Sequence, residues 1–90
     1  MNNDRRKIIE RVRAAIDTAK AGLQGAREEL EPARDEEQEA FDNMTEGLQQ
    51  SERGQKIEEC AGKLDEALDN IDSAIDELEQ AYDNLGEAAE

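Results

Sequence analysis

Two long stretches of this chain repeat their apolar residues every seven positions, and that repeat restricts the possible folds more than any other feature. In the second stretch, position a holds Ala61, Leu68, Ile75, Tyr82 and Ala89, and position d holds Ile57, Leu64, Ile71, Leu78 and Leu85. In the first, Ile9, Ile16, Leu23 and Leu30 occupy a, while Val12, Ala19, Ala26 and Ala33 occupy d. A 3–4 apolar spacing kept over four heptads predicts coiled-coil helices. The same spacing settles how to read a charged fraction of 40%, which also suits disordered chains.

The charges decide how the two arms meet. The e positions of the first arm, Arg6, Arg13, Lys20, Arg27 and Arg34, are all basic, and those of the second, Glu58, Asp65, Asp72 and Glu79, are all acidic. Antiparallel helices set e beside e, whereas parallel helices set g beside e, so this pattern favours an arm that folds back on its partner. An antiparallel register pairs Ile9 with Leu85, Ile16 with Leu78, Leu23 with Ile71 and Leu30 with Leu64. The alternate layers then pair Val12 with Tyr82, Ala19 with Ile75, Ala26 with Leu68 and Ala33 with Ala61. Three of those four set a smaller residue against a larger one, which fills space evenly.

The predicted fold is therefore all-α: an antiparallel helical hairpin with a first helix over 1–34, a connector over 35–56 and an acidic second helix over 57–90. Pro32 interrupts the first arm without breaking the heptad phase, which predicts a kink or a re-started helix there. Within the connector, Phe41, Met44 and Leu48 recur at helical spacing and predict a short amphipathic helix. Asn43 with Glu46 reads as its capping box, Ser51 as the cap of the second arm, and Asn2, Asn3 or Asp4 as the cap of the first.

A residual apolar side remains at position g, where Ile8, Ala15 and Gly22 face Cys60, Ala67, Ala74, Ala81 and Ala88. A two-helix hairpin leaves such a side open, and a second copy completing a four-helix bundle is the economical way to cover it.

Several chemistries are excluded by residue type. With no histidine, the Glu-x-x-His pairs of di-metal bundles are missing, and no glycine-turned calcium loop or phosphate-binding glycine loop occurs. Cys60 is the only cysteine, has no histidine base and sits beside Glu58 and Glu59, which oppose a thiolate. No catalytic, cofactor or metal site is expected. No apolar run approaches membrane-spanning length, and the polar N-terminus has no secretory h-region, so a cytoplasmic protein with no membrane contact is expected.

The formal charge of −14 is uneven: residues 1–34 sum to +2, residues 35–56 to −5 and residues 57–90 to −11. Such an acidic surface repels nucleic acid and predicts a partner protein with a basic surface. Asp65, Asp69, Asp72, Asp76, Glu79 and Asp83 line one side of the second helix, with charges ~5–6 Å apart along the axis. That is near the phosphate spacing of one nucleic-acid strand. Phe41, Met44 and Leu48, edged by acids, form a second candidate docking patch.

The segments DEEQEAFDNM, EGLQ and SERG within 35–54, followed by an acidic heptad helix, resemble a group of small proteins encoded by phages and prophages. That group usually has a proline where this chain has Thr45. The resemblance implies a mobile-element origin and no mechanism; the acidic surface and the absence of catalytic residues point to a non-enzymatic protein that binds and modulates a host protein. A structural coiled-coil oligomer used in assembly is the alternative.

Overall fold

A computed structural model describes all residues, 1–90, as three helices: α1 (Asn3–Asp42), α2 (Glu46–Gln49) and α3 (Glu52–Ala88), with no strand. The helix starts follow from local side chains. Asn2 Oδ1 accepts from the Arg5 N–H at 2.9 Å, and Ser51 Oγ accepts from the Gly54 N–H at 3.1 Å. Each satisfies one of the donors left unpaired at a helix start. Thr45, not Asn43, caps α2. Its backbone is extended (φ −64°, ψ 156°), and its hydroxyl accepts from Leu48 N at 3.4 Å.

One further expectation is corrected. α1 runs through Pro32 and on to Asp42, so the helical break lies between residues 43 and 51 and is shorter than the sequence suggested. Proline removes one N–H, and the helical bonds on either side of it suffice to continue the helix. Glu37, at an a position, lies half-buried on this added length.

The chain forms two compact units. In the unit made of Met1–Gly25 and Ile71–Glu90, α1 and α3 run antiparallel. Arg13 reaches Tyr82, and Lys20, further along α1, reaches Glu79, further back along α3. The Lys20–Glu79 pair is the e-to-e partnership expected when Ile16 is level with Leu78. Ile75 is the buried core residue here, and Ile9, Ile16, Leu23, Ile71, Leu78 and Leu85 are half-buried.

In the unit made of Ala26–Asn70, Arg34 pairs with Asp65, the partnership expected when Leu30 is level with Leu64. Ala61 and Leu68 are buried. The chain reversal is closed by backbone: Gly54 is buried against the carbonyls of Leu48 and Gln49, and Gln49 Nε2 donates to the Phe41 carbonyl at 3.0 Å.

The side of α1 that turns inward differs from expectation in both units. Val12, Ala19, Ala26 and Ala33, expected in alternate core layers, are exposed, Val12 by 43%. Arg13, Lys20, Arg27 and Arg34 are half-buried in their place. Alanine offers little apolar area, while the methylene stems of arginine and lysine cover more surface, and those of Lys20 and Arg34 deliver their charges to acids of α3.

Candidate protein-binding site

The acidic side of α3 divides into two series with different neighbours. Beyond the exposed Glu58, the acids of the e series are engaged within the chain. Lys20 Nζ lies 2.7 Å from Glu79 Oε1, Arg34 contacts both Asp35 and Asp65, and Asp72 is half-buried with a partner of its own. The hydrogen bond that Lys20 donates to Glu79 raises the Lys20 pKa; desolvation opposes the rise, and the fields of Glu79, Asp17 and Asp83 add to it. The hydrogen bonds to Asp35 and Asp65 raise that of Arg34. These cations are therefore held in their charged form as clamps between helices.

The b series, Asp69, Asp76 and Asp83, is exposed and forms no ion pair, although Asp83 stands in the field of Lys20. The six-residue acidic row thus offers a partner mainly every second carboxylate, about 10 Å apart along the axis, instead of the ~5–6 Å read from sequence. Glu59, Glu66 and Glu87 add exposed charge at f positions, with Glu66 weakly paired to Lys63 at 3.5 Å.

Within the Met1–Gly25/Ile71–Glu90 unit, an open groove of about 280 Å³ is lined by Ile16, Asp17, Lys20, Leu78, Glu79, Tyr82 and Asp83. Beside it Arg13 lies over the Tyr82 ring, 3.9 Å from its centroid, and its Nε donates to the Tyr82 carbonyl at 3.1 Å. Gly86 makes this approach possible, since an added Cβ would lie 2.7 Å from the guanidinium. The sequence placed Gly86 at an acidic e position without revealing that its missing side chain admits Arg13. Stacking of a guanidinium on a tyrosine and its bond to a helical carbonyl make this a local clasp.

The apolar candidates also separate. At the chain reversal Leu48 is 56% exposed, while Phe41 and Met44 are half-buried. Leu48 alone projects as an apolar point, with exposed Asp42, Glu46 and Glu52 on neighbouring turns. Of the residues expected at an oligomer interface, Ala15, Gly22 and Cys60 are exposed, and Ala67, Ala74 and Ala81 are half-buried. Ile8, 50% exposed, accompanies Ala15 and Gly22 on α1 as its g position implies, and Val12 joins them, which the sequence reading missed because it assigned Val12 to the core.

No helix is long and apolar enough to cross a membrane, and no three acidic or cysteine side chains gather as a metal site. The chain matches no known family model, no curated protein and no solved structure.

Proposed function

We propose that this chain is a non-enzymatic interaction protein of a phage or other mobile element, which binds a host protein with a basic surface and modulates it. It works in the host cytoplasm as a homodimer forming a four-helix bundle. The observation that carries the reading is the division of the carboxylates of α3. Asp65 and Glu79 hold the helices together, while Asp69, Asp76 and Asp83 are left to solvent without a cation of their own. A face of that kind attracts a cationic surface in the way a nucleic-acid backbone does. The exposed Leu48 supplies an apolar contact at the chain reversal.

A pull-down from bacterial host lysate at low and high salt tests this, with Asp69, Asp76 and Asp83 changed together to asparagine and Leu48 changed separately to serine. The expected result is a nucleic-acid-handling protein lost at high salt and lost with the asparagine variant, because exposed charge pairs are screened within about a Debye length. A partner that survives both treatments refutes the acidic-face mechanism. If only the Leu48→Ser variant loses it, the chain reversal is the working end.

The second reading, a structural coiled-coil oligomer without inhibitory activity, is favoured by the small core. Only Ala61, Leu68 and Ile75 are buried among the apolar residues. Recovery of the protein itself and nothing else supports that reading.

A further inference from the structure

We infer that the outward face of α1 seats a second copy of this chain, with the two α1 helices antiparallel across a two-fold axis level with Asp17. The inference rests on the homodimer in the function proposed above and names a different face from the g positions of α3.

Three observations converge. The first is the exposed row itself: Met1, Arg5, Ile8, Val12, Ala15, Ala19, Gly22, Ala26, Glu29 and Ala33 are all exposed and follow one another at the d and g positions of α1. Three of the four large apolar side chains most exposed in the chain, Met1, Ile8 and Val12, lie on it.

The second is that this row is complementary to its own reverse. With the axis level with Asp17, Ile8 of one copy meets Ala26 of the other, Val12 meets Gly22, and Ala15 meets Ala19. Larger residues thereby face smaller ones, as close helix packing requires. The same register sets Arg5 opposite Glu29 and Met1 opposite Ala33. A parallel pairing would instead stack Arg5 on Arg5 and Glu29 on Glu29, with Val12 crowded on Val12. Gly22 has nothing within 4 Å of where a Cβ would stand, so the space Val12 needs is open.

The third is charge. Residues 1–34 sum to +2 and residues 57–90 to −11, so contact through α1 keeps the two acidic arms apart, whereas contact through α3 brings them together.

Sedimentation equilibrium at micromolar concentration reads the result directly. The wild-type chain is expected to be a dimer. Ala15→Glu with Ala19→Glu, which sets carboxylates against each other at the axis, is expected to raise the dimer Kd by about 100-fold or more while leaving helicity unchanged, since both sites are exposed. Arg5→Glu alone is expected to weaken the dimer about tenfold, and adding Glu29→Arg is expected to restore it. In a Cys60→Ala background, Val12→Cys with Gly22→Cys is expected to form a disulfide between copies, because facing residues lie within bonding range. A monomer at every concentration overturns both this inference and the homodimer, and leaves partner binding by α3 to stand or fall on its own assay. A dimer indifferent to the glutamates and to the charge swap, yet locked by oxidation of wild-type Cys60, overturns the α1 face alone and moves the second copy to the g side of α3.

Discussion

Replacing Gly54 with alanine tests the backbone closure of the chain reversal, because two opposed effects act at that one position. In a helix interior, glycine to alanine ordinarily stabilises by about 1 kcal/mol, through backbone entropy lost by the unfolded chain. No glycine here has positive φ, so backbone conformation gives no reason for Gly54 to be glycine. Space does. A Cβ at Gly54 would lie 2.7 Å from the Gln49 carbonyl oxygen, 2.8 Å from Gln49 Cα, and nearer still to the Leu48 carbonyl oxygen. All three are backbone atoms, which cannot swing aside as a side-chain end can. Relief requires displacing α2 from α3. Forced overpacking of this kind costs about 1–3 kcal/mol, occasionally more, so it offsets or exceeds the propensity gain.

The comparison that isolates the close contact uses Gly25→Ala and Gly62→Ala, where nothing lies within 4 Å of an added Cβ. Thermal unfolding followed by circular dichroism, at one fixed chain concentration, should raise Tm for these two by about 4–8 °C. Gly54→Ala should leave it unchanged or lower it by up to about 16 °C. If Gly54→Ala raises Tm as much as Gly62→Ala, the packing of the Leu48 and Gln49 carbonyls on α3 is wrong.

Three other outcomes follow from the same geometry. Gly86→Ala meets only the flexible end of Arg13, so the lost clasp and the gained helix propensity nearly cancel, and Tm by thermal unfolding should move by less than about 5 °C. Because the Glu79 hydrogen bond raises the Lys20 pKa above its ordinary 10.5, the contribution of Lys20 is complete below about pH 10.5 and is lost as pH climbs through the raised value. Urea unfolding from pH 8 to 12 should show an alkaline decline that is smaller in Lys20→Met. Thr45→Pro should change stability in urea unfolding by no more than about 1 kcal/mol. The Thr45 φ of −64° suits the proline ring and its N–H donates to no other group, so the lower entropy of the unfolded chain offsets the lost cap.

The heptads carried most of the fold because each level of the pattern agrees with the next. Large residues at a and d on α3, opposite charges at the two e series, and polar caps at Asn2 and Ser51 all specify one antiparallel register. What the pattern did not carry was the rotation of α1. Ile9, Ile16, Leu23 and Leu30 fix only one edge of its inward face, and the second edge is contested between small d residues and long e residues. Counting hydrophobicity favours Val12, Ala19, Ala26 and Ala33. The stems of Arg13, Lys20, Arg27 and Arg34 prevail because they bury more carbon and end on polar partners, carboxylates for Lys20, Arg27 and Arg34 and the Tyr82 carbonyl for Arg13. The choice between Asn43 and Thr45 as a cap was illegible for a similar reason, since both residue types cap well and only the position of the chain reversal decides. The clasp of Arg13 on Tyr82 left one trace in sequence, the glycine at an e position where the other heptads carry an acid.

That rotation gives the candidate surfaces their chemistry. Turning the basic e series inward spends the positive charge of α1 on Asp65 and Glu79, and it turns the alanine edge outward. The exposed d and g edge of α1 from Ile8 to Ala26 is consequently free of charge, while α3 keeps its surplus acid at b and f positions. The two proposed associations therefore use different helices and different forces. Contact between α1 helices depends on packing and only marginally on the Arg5–Glu29 pairs, so it should persist in salt. Contact between α3 and a basic partner depends on unscreened charge and should not. A titration at about 50 mM and about 500 mM salt, reading chain mass and partner binding on one sample, separates them. Loss of the dimer together with the partner at high salt would refute the assignment of packing to α1 and charge to α3.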